Sequence, residues 1–173
     1  MQRDVIYHTL FLSVGGNVGN RLHYMRMVYL EINSSIGTII NASPVYLSEP
    51  WGFMHRRYFT NAVFHVETAL ELCEILPKLH KIEANLGRIR SAATGYIART
   101  MDIDIIAMDD TVYNEENVTL PHPRMRDRLF VLLPLFDIAP QWVHPRTGEN
   151  IQELIRKCSD TGKIRKTMLC YYD

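Results

Sequence analysis

The run Met101–Met108, MDIDIIAM, constrains this chain more than any other stretch. Its apolar, β-branched character specifies a buried strand, yet two of its first four residues are carboxylates. An uncompensated buried carboxylate is strongly unfavourable, so a plain core strand would not hold two. Alternation along a strand sends Asp102, Asp104 and Ile106 to one side and Met101, Ile103 and Ile105 to the other. Same-face neighbours stand roughly 6–7 Å apart, and at that spacing two carboxylates can converge on one or two Mg²⁺ ions that arrive with phosphate. A strand with one solvated face is the bland alternative and the commoner source of a D-x-D pattern. The continuation IIAM stays apolar on both faces, which favours the metal.

The basic residues supply a partner for that metal. Arg88, Arg90, Arg99, Arg124, Arg126 and Arg128 crowd into the middle third of the chain, with His122 among them. Guanidinium forks match phosphate oxygens bidentately, and an imidazole can add a hydrogen bond. An acidic pair with several cations on neighbouring loops points to a polyphosphate held between Mg²⁺ and arginines. Over the whole chain, 19 Lys and Arg balance 19 Asp and Glu. There is no global field for nucleic acid or an anionic membrane, and neither is expected as a partner. GGNVGN lacks the lysine of a P-loop, and YFTNAVF lacks the basic and glycine residues of an RNA-binding RNP1 strand.

With 173 residues and no repeat, linker or low-complexity tract, one domain over 1–173 is expected. Ile6–Val14 reads as a strand ending at Gly15-Gly16. Asn20 caps a helix marked by Leu22, Met25, Tyr29, Ile32 and Ile36, stopped at Gly37. Thr38–Leu47 is extended but interrupted at Ser43-Pro44, and a strand starts at Tyr58. Thr68 and Glu71 have capping-box spacing before an apolar helix face of Leu72, Ile75, Leu76, Leu79, Ile82 and Leu86, where Pro77 predicts a kink or a split. Asp109–Asn117 reads as turn; helices follow within 127–140 and over Ile151–Lys157. The order β α β β α β, followed by further helices, fits an α+β ferredoxin-like sheet rather than a doubly wound one. Cys73, Cys158 and Cys170 are odd in number, without metal spacing, and Cys73 falls on the apolar side of its helix; with no signal peptide at the N-terminus, a reducing cytoplasmic setting is expected.

At these residues the chain resembles the 6-hydroxymethyl-7,8-dihydropterin pyrophosphokinases of folate biosynthesis. The resemblance is carried by LSVGGNVGNR, SPVYLSEPWG, YFTNAV, IEANLGRIR, RTMDIDI and LPHPRMRDRLFVLLPLFDIAP, in family order and reaching about Pro145. It implies a ferredoxin-like fold and transfer of pyrophosphate from ATP, the co-substrate, to the hydroxymethyl group of a reduced pterin, with release of AMP. By position it implies that Asp102 and Asp104 hold two Mg²⁺ ions, and that Arg88, Arg90, Arg99, His122 and Arg128 contact ATP. Arg88 and Arg99 join the two acids as catalytic residues. Ser48, Trp51, Phe59, Asn61, Tyr96 and Phe130 match the pterin pocket, where rings stack on a flat bicycle and an amide reads its edge. The chain departs from the family pattern at Glu49, Phe59, Ile97-Ala98 and Asn117, and the tail Cys158–Asp173 matches nothing in it.

Two other readings compete. A two-metal nucleotidyl transferase or cyclase explains the acidic pair but leaves Asn61, the aromatic loop and LPHP unaccounted for. A non-catalytic small-molecule-binding domain of the same fold would consume no ATP. Nothing in the residues fixes an oligomeric state, and a monomer is the expectation.

Overall fold

Residues 5–52, 54–88, 100–115 and 118–172 are described by the computed structural model. Among them the chain forms β1 (His8–Gly16), α1 (Arg21–Ser35), β2 (Thr38–Ala42), β3 (Tyr46–Ser48), β4 (Phe59–Thr68), α2 (Leu72–Asn85) and β5 (Asp102–Met108). A hairpin of β6 (Tyr113–Glu115) and β7 (Val118–Leu120) follows, then a 3₁₀ turn over Met125–Asp127. The chain continues through α3 (Leu129–Ile138), α4 (Ile151–Lys157) and β8 (Ile164–Lys166).

The main sheet is antiparallel, in the order β5-β1-β4-β3-β8. The interruption at Ser43-Pro44 divides one strand of the βαββαβ pattern in two. β2 pairs with Thr68-side residues of β4 (Phe64 to Glu67), and β3 with its beginning (Phe59 to Asn61). This is the ferredoxin-like arrangement expected from the element order, extended by β8.

Strand alternation gives the sheet two apolar faces. Leu10, Leu12, Val14, Ala62, Phe64, Val66, Ile103 and Ile105 pack with Met25, Val28 and Ile32 of α1 and Ile75, Leu79 and Ile82 of α2. Phe11, Val63 and Ile106 pack on the other side against Val131, Leu132 and Leu135 of α3 and Ile151 and Leu154 of α4. The result is three layers, helices on both faces of one sheet.

Asn20 caps α1 as expected, its side chain accepting from the His23 amide at 3.2 Å. The cap of α2 differs from expectation. Glu71 is the N-cap and makes the capping box with Glu74, because Thr68 is still in β4 and spends its hydroxyl on the Ile36 carbonyl. α2 runs through Pro77 as one helix instead of splitting. Its buried Ile75, Leu79 and Ile82 hold the turns on either side of the missing amide donor. Cys73 is exposed, contrary to the apolar placement expected for it, and none of the three cysteines is in a disulfide. The expected turn region after Met108 forms the β6–β7 hairpin. β8 escaped the sequence altogether, since three residues, IRK, carry no period.

Among the described residues no helix is long and apolar enough to cross a membrane.

Candidate active site

β5 presents Asp102 and Asp104 on one face, toward a cleft of about 540 Å³ including its open mouth. The strand register sets the rest of the floor. Gly15 of β1 lies between Asp102 of β5 and Asn61 of β4, and Ser13 lies between Asp104 and Val63. Tyr46 of β3 continues the first row beyond Asn61. The sheet therefore lines up carboxylate, glycine and amide across three strands. Ser48, Glu49, Trp51, Phe59, Arg128 and Phe130 complete the lining.

One end of the cleft suits a flat, hydrogen-bonding ring. Asn61 is only 3% exposed and donates from Nδ2 to Ser48 Oγ at 3.0 Å, which fixes the amide plane. Gly15 makes this possible: a β-carbon there would come within 2.6 Å of Asn61 Oδ1. Trp51, Phe59 and Phe130 bring aromatic faces to the same space. Arg128, 7% exposed, lays its guanidinium 5.0 Å from the Trp51 ring centre and 5.7 Å from that of Phe130.

The other end is ionic. α2 closes in a Schellman motif, with the Gly87 amide donating to Ala84 O and the Arg88 amide to Glu83 O. Gly87 takes φ +80° to do so, the left-handed conformation glycine adopts without strain. That turn throws Arg88 onto β5, where its Nη1 donates to both Glu83 Oε1 and Asp102 Oδ1. Glu83, 1% exposed, also accepts from the Ile103 amide at 2.8 Å, so a buried carboxylate is satisfied by a guanidinium and a strand amide together. Arg128 Nη1 approaches Asp104 Oδ2 at 3.4 Å.

His122 begins the irregular segment after the cis Leu120–Pro121 bond. Its amide donates to Ile106 O at 2.8 Å and its Nδ1 accepts from the Arg124 amide at 3.1 Å, which leaves Nε2 carrying the proton. Burial, then the charges of Arg128 and Arg124, push its pKa down to about 4, so the ring is neutral at pH 7.

Asp102, Asp104, Arg128, Ser48, Trp51, Phe59, Asn61 and Phe130 thus line one cleft, with Arg88 bonded to Asp102 at its edge. His122 is not in the lining but senses Arg128 and Asp102 electrostatically. Arg90, Tyr96 and Arg99 lie outside the described residues. Sequence reasoning missed Ser13, Gly15, Glu49 and Glu83 as parts of the site. The only signal for Glu83 was a carboxylate next to Ile82 on the apolar helix face; for Ser13 and Gly15 there was none before the strands were paired.

Two carboxylates facing a cleft are a donor set that fits Mg²⁺, which takes one or two protein carboxylates and fills its shell with water and phosphate oxygens. Among the described residues no group of three or more His, Cys, Asp or Glu is assembled that could hold a metal by itself. Such a pair suits a metal that comes with its substrate rather than a permanent structural ion.

Comparison with known proteins points the same way. The profile of the family described as 7,8-dihydro-6-hydroxymethylpterin-pyrophosphokinase matches residues 11–140. The 2-amino-4-hydroxy-6-hydroxymethyldihydropteridine pyrophosphokinase of Haemophilus influenzae is 31% identical over 158 residues, covering 91% of this chain and 97% of that protein. The folic acid synthesis protein fol1 of Pneumocystis carinii is 34% identical over 92% of this chain. This chain spans only about a fifth of the length of that protein, 21%. In structure, the HPPK-DHPS of Plasmodium falciparum solved with pteroate superposes with a TM-score of 0.74 at 15% identity, over 90% of this chain and 45% of that one, a likeness of fold.

Proposed function

The chain belongs to the 7,8-dihydro-6-hydroxymethylpterin-pyrophosphokinase family, and on that premise we propose that it transfers pyrophosphate from ATP to 6-hydroxymethyl-7,8-dihydropterin, giving the pterin diphosphate and AMP in folate biosynthesis. Residues 1–173 act in this reading as a single catalytic domain. The observation that carries it is the row Asp102–Gly15–Asn61, which sets a carboxylate beside an amide-and-aromatic pocket on adjacent strands.

The hydroxymethyl oxygen forms a bond to the β-phosphorus, the bond from that phosphorus to the α-phosphate oxygen breaks, and the hydroxyl proton is lost to solvent. The work of the protein is placement and charge. Asn61, held by Ser48, reads the polar edge of the pterin, while Trp51, Phe59 and Phe130 stack on its faces. Asp102 and Asp104 would hold two Mg²⁺ ions, which when bound neutralise the polyphosphate and make the β-phosphorus a better electrophile. Arg128 stands between the two ends, close to Asp104 and to the Trp51 and Phe130 rings, and can pass its guanidinium to the phosphate. Arg88 keeps Asp102 oriented and offers its remaining donors to ATP. Neutral His122 offers Nε2–H to a phosphate oxygen without repelling the arginines. Arg99 and Arg90 are proposed as further phosphate contacts, and Tyr96 as a pterin contact, on the resemblance alone.

Incubation with ATP and the reduced hydroxymethylpterin, with Mg²⁺ and with EDTA, tests the reading. AMP formed only with Mg²⁺ and pterin supports it. Release of pyrophosphate would make the chain a nucleotidyl transferase, and Mg²⁺-independent pterin binding without ATP consumption would make it a binding domain.

A further inference from the structure

Residues 141–173 lie outside the matched family profile, yet part of this tail is fastened to two walls of the cleft. On one wall, β8 pairs with β3 so that Ile164 faces Ser48. The next residue, Glu49, donates from its amide to Lys163 O at 3.0 Å, and its Oε2 accepts from the Lys163 amide at 3.0 Å. On the other wall, α3 has no cap from its own N-cap residue, Arg128. Asp160 supplies it from 31 residues away, its Oδ2 accepting from the Leu129 amide at 3.1 Å, and a carboxylate there suits the positive helix end. Leu129 sits between Arg128 and Phe130, both in the cleft lining.

Asp160 also organises the tail itself. Its Oδ1 accepts from the Gly162 amide at 2.9 Å, and a β-carbon on Gly162 would lie 3.1 Å from that oxygen and 4.0 Å from Glu49 Cβ. The two fastenings are thus one tight turn, and a single carboxylate ties the β3 wall to the start of α3. At the far end, Lys166 donates to Asp137 Oδ1 at 2.9 Å, while Tyr46 OH donates to Asp137 Oδ2 at 2.8 Å. β8, β3 and α3 are joined there a second time.

We propose that segment 160–166 is a strap that sets the distance between the two pterin-facing walls of the cleft, with Asp160 as its positioning residue. The inference rests on the pyrophosphokinase reading for its substrate and on the hydrogen bonds above for its mechanics. Asp160 touches no reacting atom; it acts through Glu49 on one side and through Leu129, hence Arg128 and Phe130, on the other. Loosening the strap lets the walls spread and weakens grip on a ligand that must touch both. The end of the cleft at Arg88 and Asp102 is held instead by Glu83 of α2 and keeps its geometry.

The test uses the full chain with Asp160→Ala and the milder Asp160→Asn, which keeps one acceptor oxygen. Asp160→Ala is expected to raise the pterin KM about ten-fold and the ATP KM, which the strap reaches through Arg128 alone, by no more than about three-fold. Amide exchange at Glu49 and Leu129 should quicken, and Asp160→Asn should recover part of both effects. Glu49→Ala, which removes the side-chain half of the other fastening and leaves its backbone bond to Lys163, should move the pterin KM in the same direction by less. An unchanged pterin KM overturns the strap, and so does a parallel rise for pterin and ATP, which would mark general loosening. A wild-type chain that makes no AMP defeats the pyrophosphokinase reading separately. In that event calorimetric pterin affinity decides the strap, and equal affinities for wild type and Asp160→Ala overturn it.

Discussion

Asn61 lies directly across the β1–β4 pair from Gly15, and its Oδ1 occupies space that a β-carbon on residue 15 would need, 2.6 Å away. The glycine therefore shapes the cleft although it contributes no side chain, and in the proposed reading it does so beside the pterin. Gly15→Ala should swing the Asn61 amide off Ser48 Oγ, because the clashing atom is the end of a side chain and can move more easily than backbone. The expected result is a pterin KM raised on the order of ten-fold, the size of one buried hydrogen bond, with little change in ATP KM or melting temperature. Steady-state kinetics with each substrate varied would show it, and an unaltered pterin KM would remove Asn61 from recognition.

Asp104→Asn keeps the shape of the side chain and deletes its charge. The carboxylate is partly exposed and its contact with Arg128 is long, 3.4 Å, so the fold should tolerate the change. Turnover should fall by roughly 10²–10³, as loss of one preorganised electrostatic element does. AMP production across a Mg²⁺ titration is the assay; a rate equal to wild type at saturating Mg²⁺ would exclude Asp104 from the metal.

Arg88→Ala should act on stability as well as on rate. It takes the guanidinium away from the buried Glu83 carboxylate, and breaking one side of a buried ion pair costs about 3–5 kcal/mol. Adding Glu83→Gln removes that charge and should restore much of the loss while activity stays low. Urea denaturation of the two single variants and the double variant tests this coupling, which additive effects would contradict.

His122 gives the protein an acid-sensitive element with a definite sign. Its pKa falls from the ordinary 6.5 to about 4 on folding, so the unfolded chain binds the proton more tightly between those values. The stability associated with neutral His122 is complete above pH 6.5 and is lost as pH falls toward 4. Burial lowers the pKa of His65 and His144 as well, so the comparison must be wild type against His122→Gln. Urea midpoints measured from pH 7 down to pH 4.5 should fall for wild type relative to His122→Gln as the pH drops; parallel curves would contradict the shifted pKa.

Amino-acid order alone determined the ferredoxin-like succession of elements, because each depends on a local period: the alternation of β4 and β5, the spacing of Leu22 through Ile36, the apolar face of α2. It also determined that Asp102 and Asp104 share a side, since that follows from two-residue alternation within one strand. Tertiary structure decided what stands opposite them. Gly15 and Ser13 enter the site through strand register, Glu83 through the packing of α2 on β5, and Asp160 through a cap supplied from 31 residues away. Such pairings join residues far apart in the chain and leave no periodic trace, so they become visible only when the sheet and its covering helices are assembled.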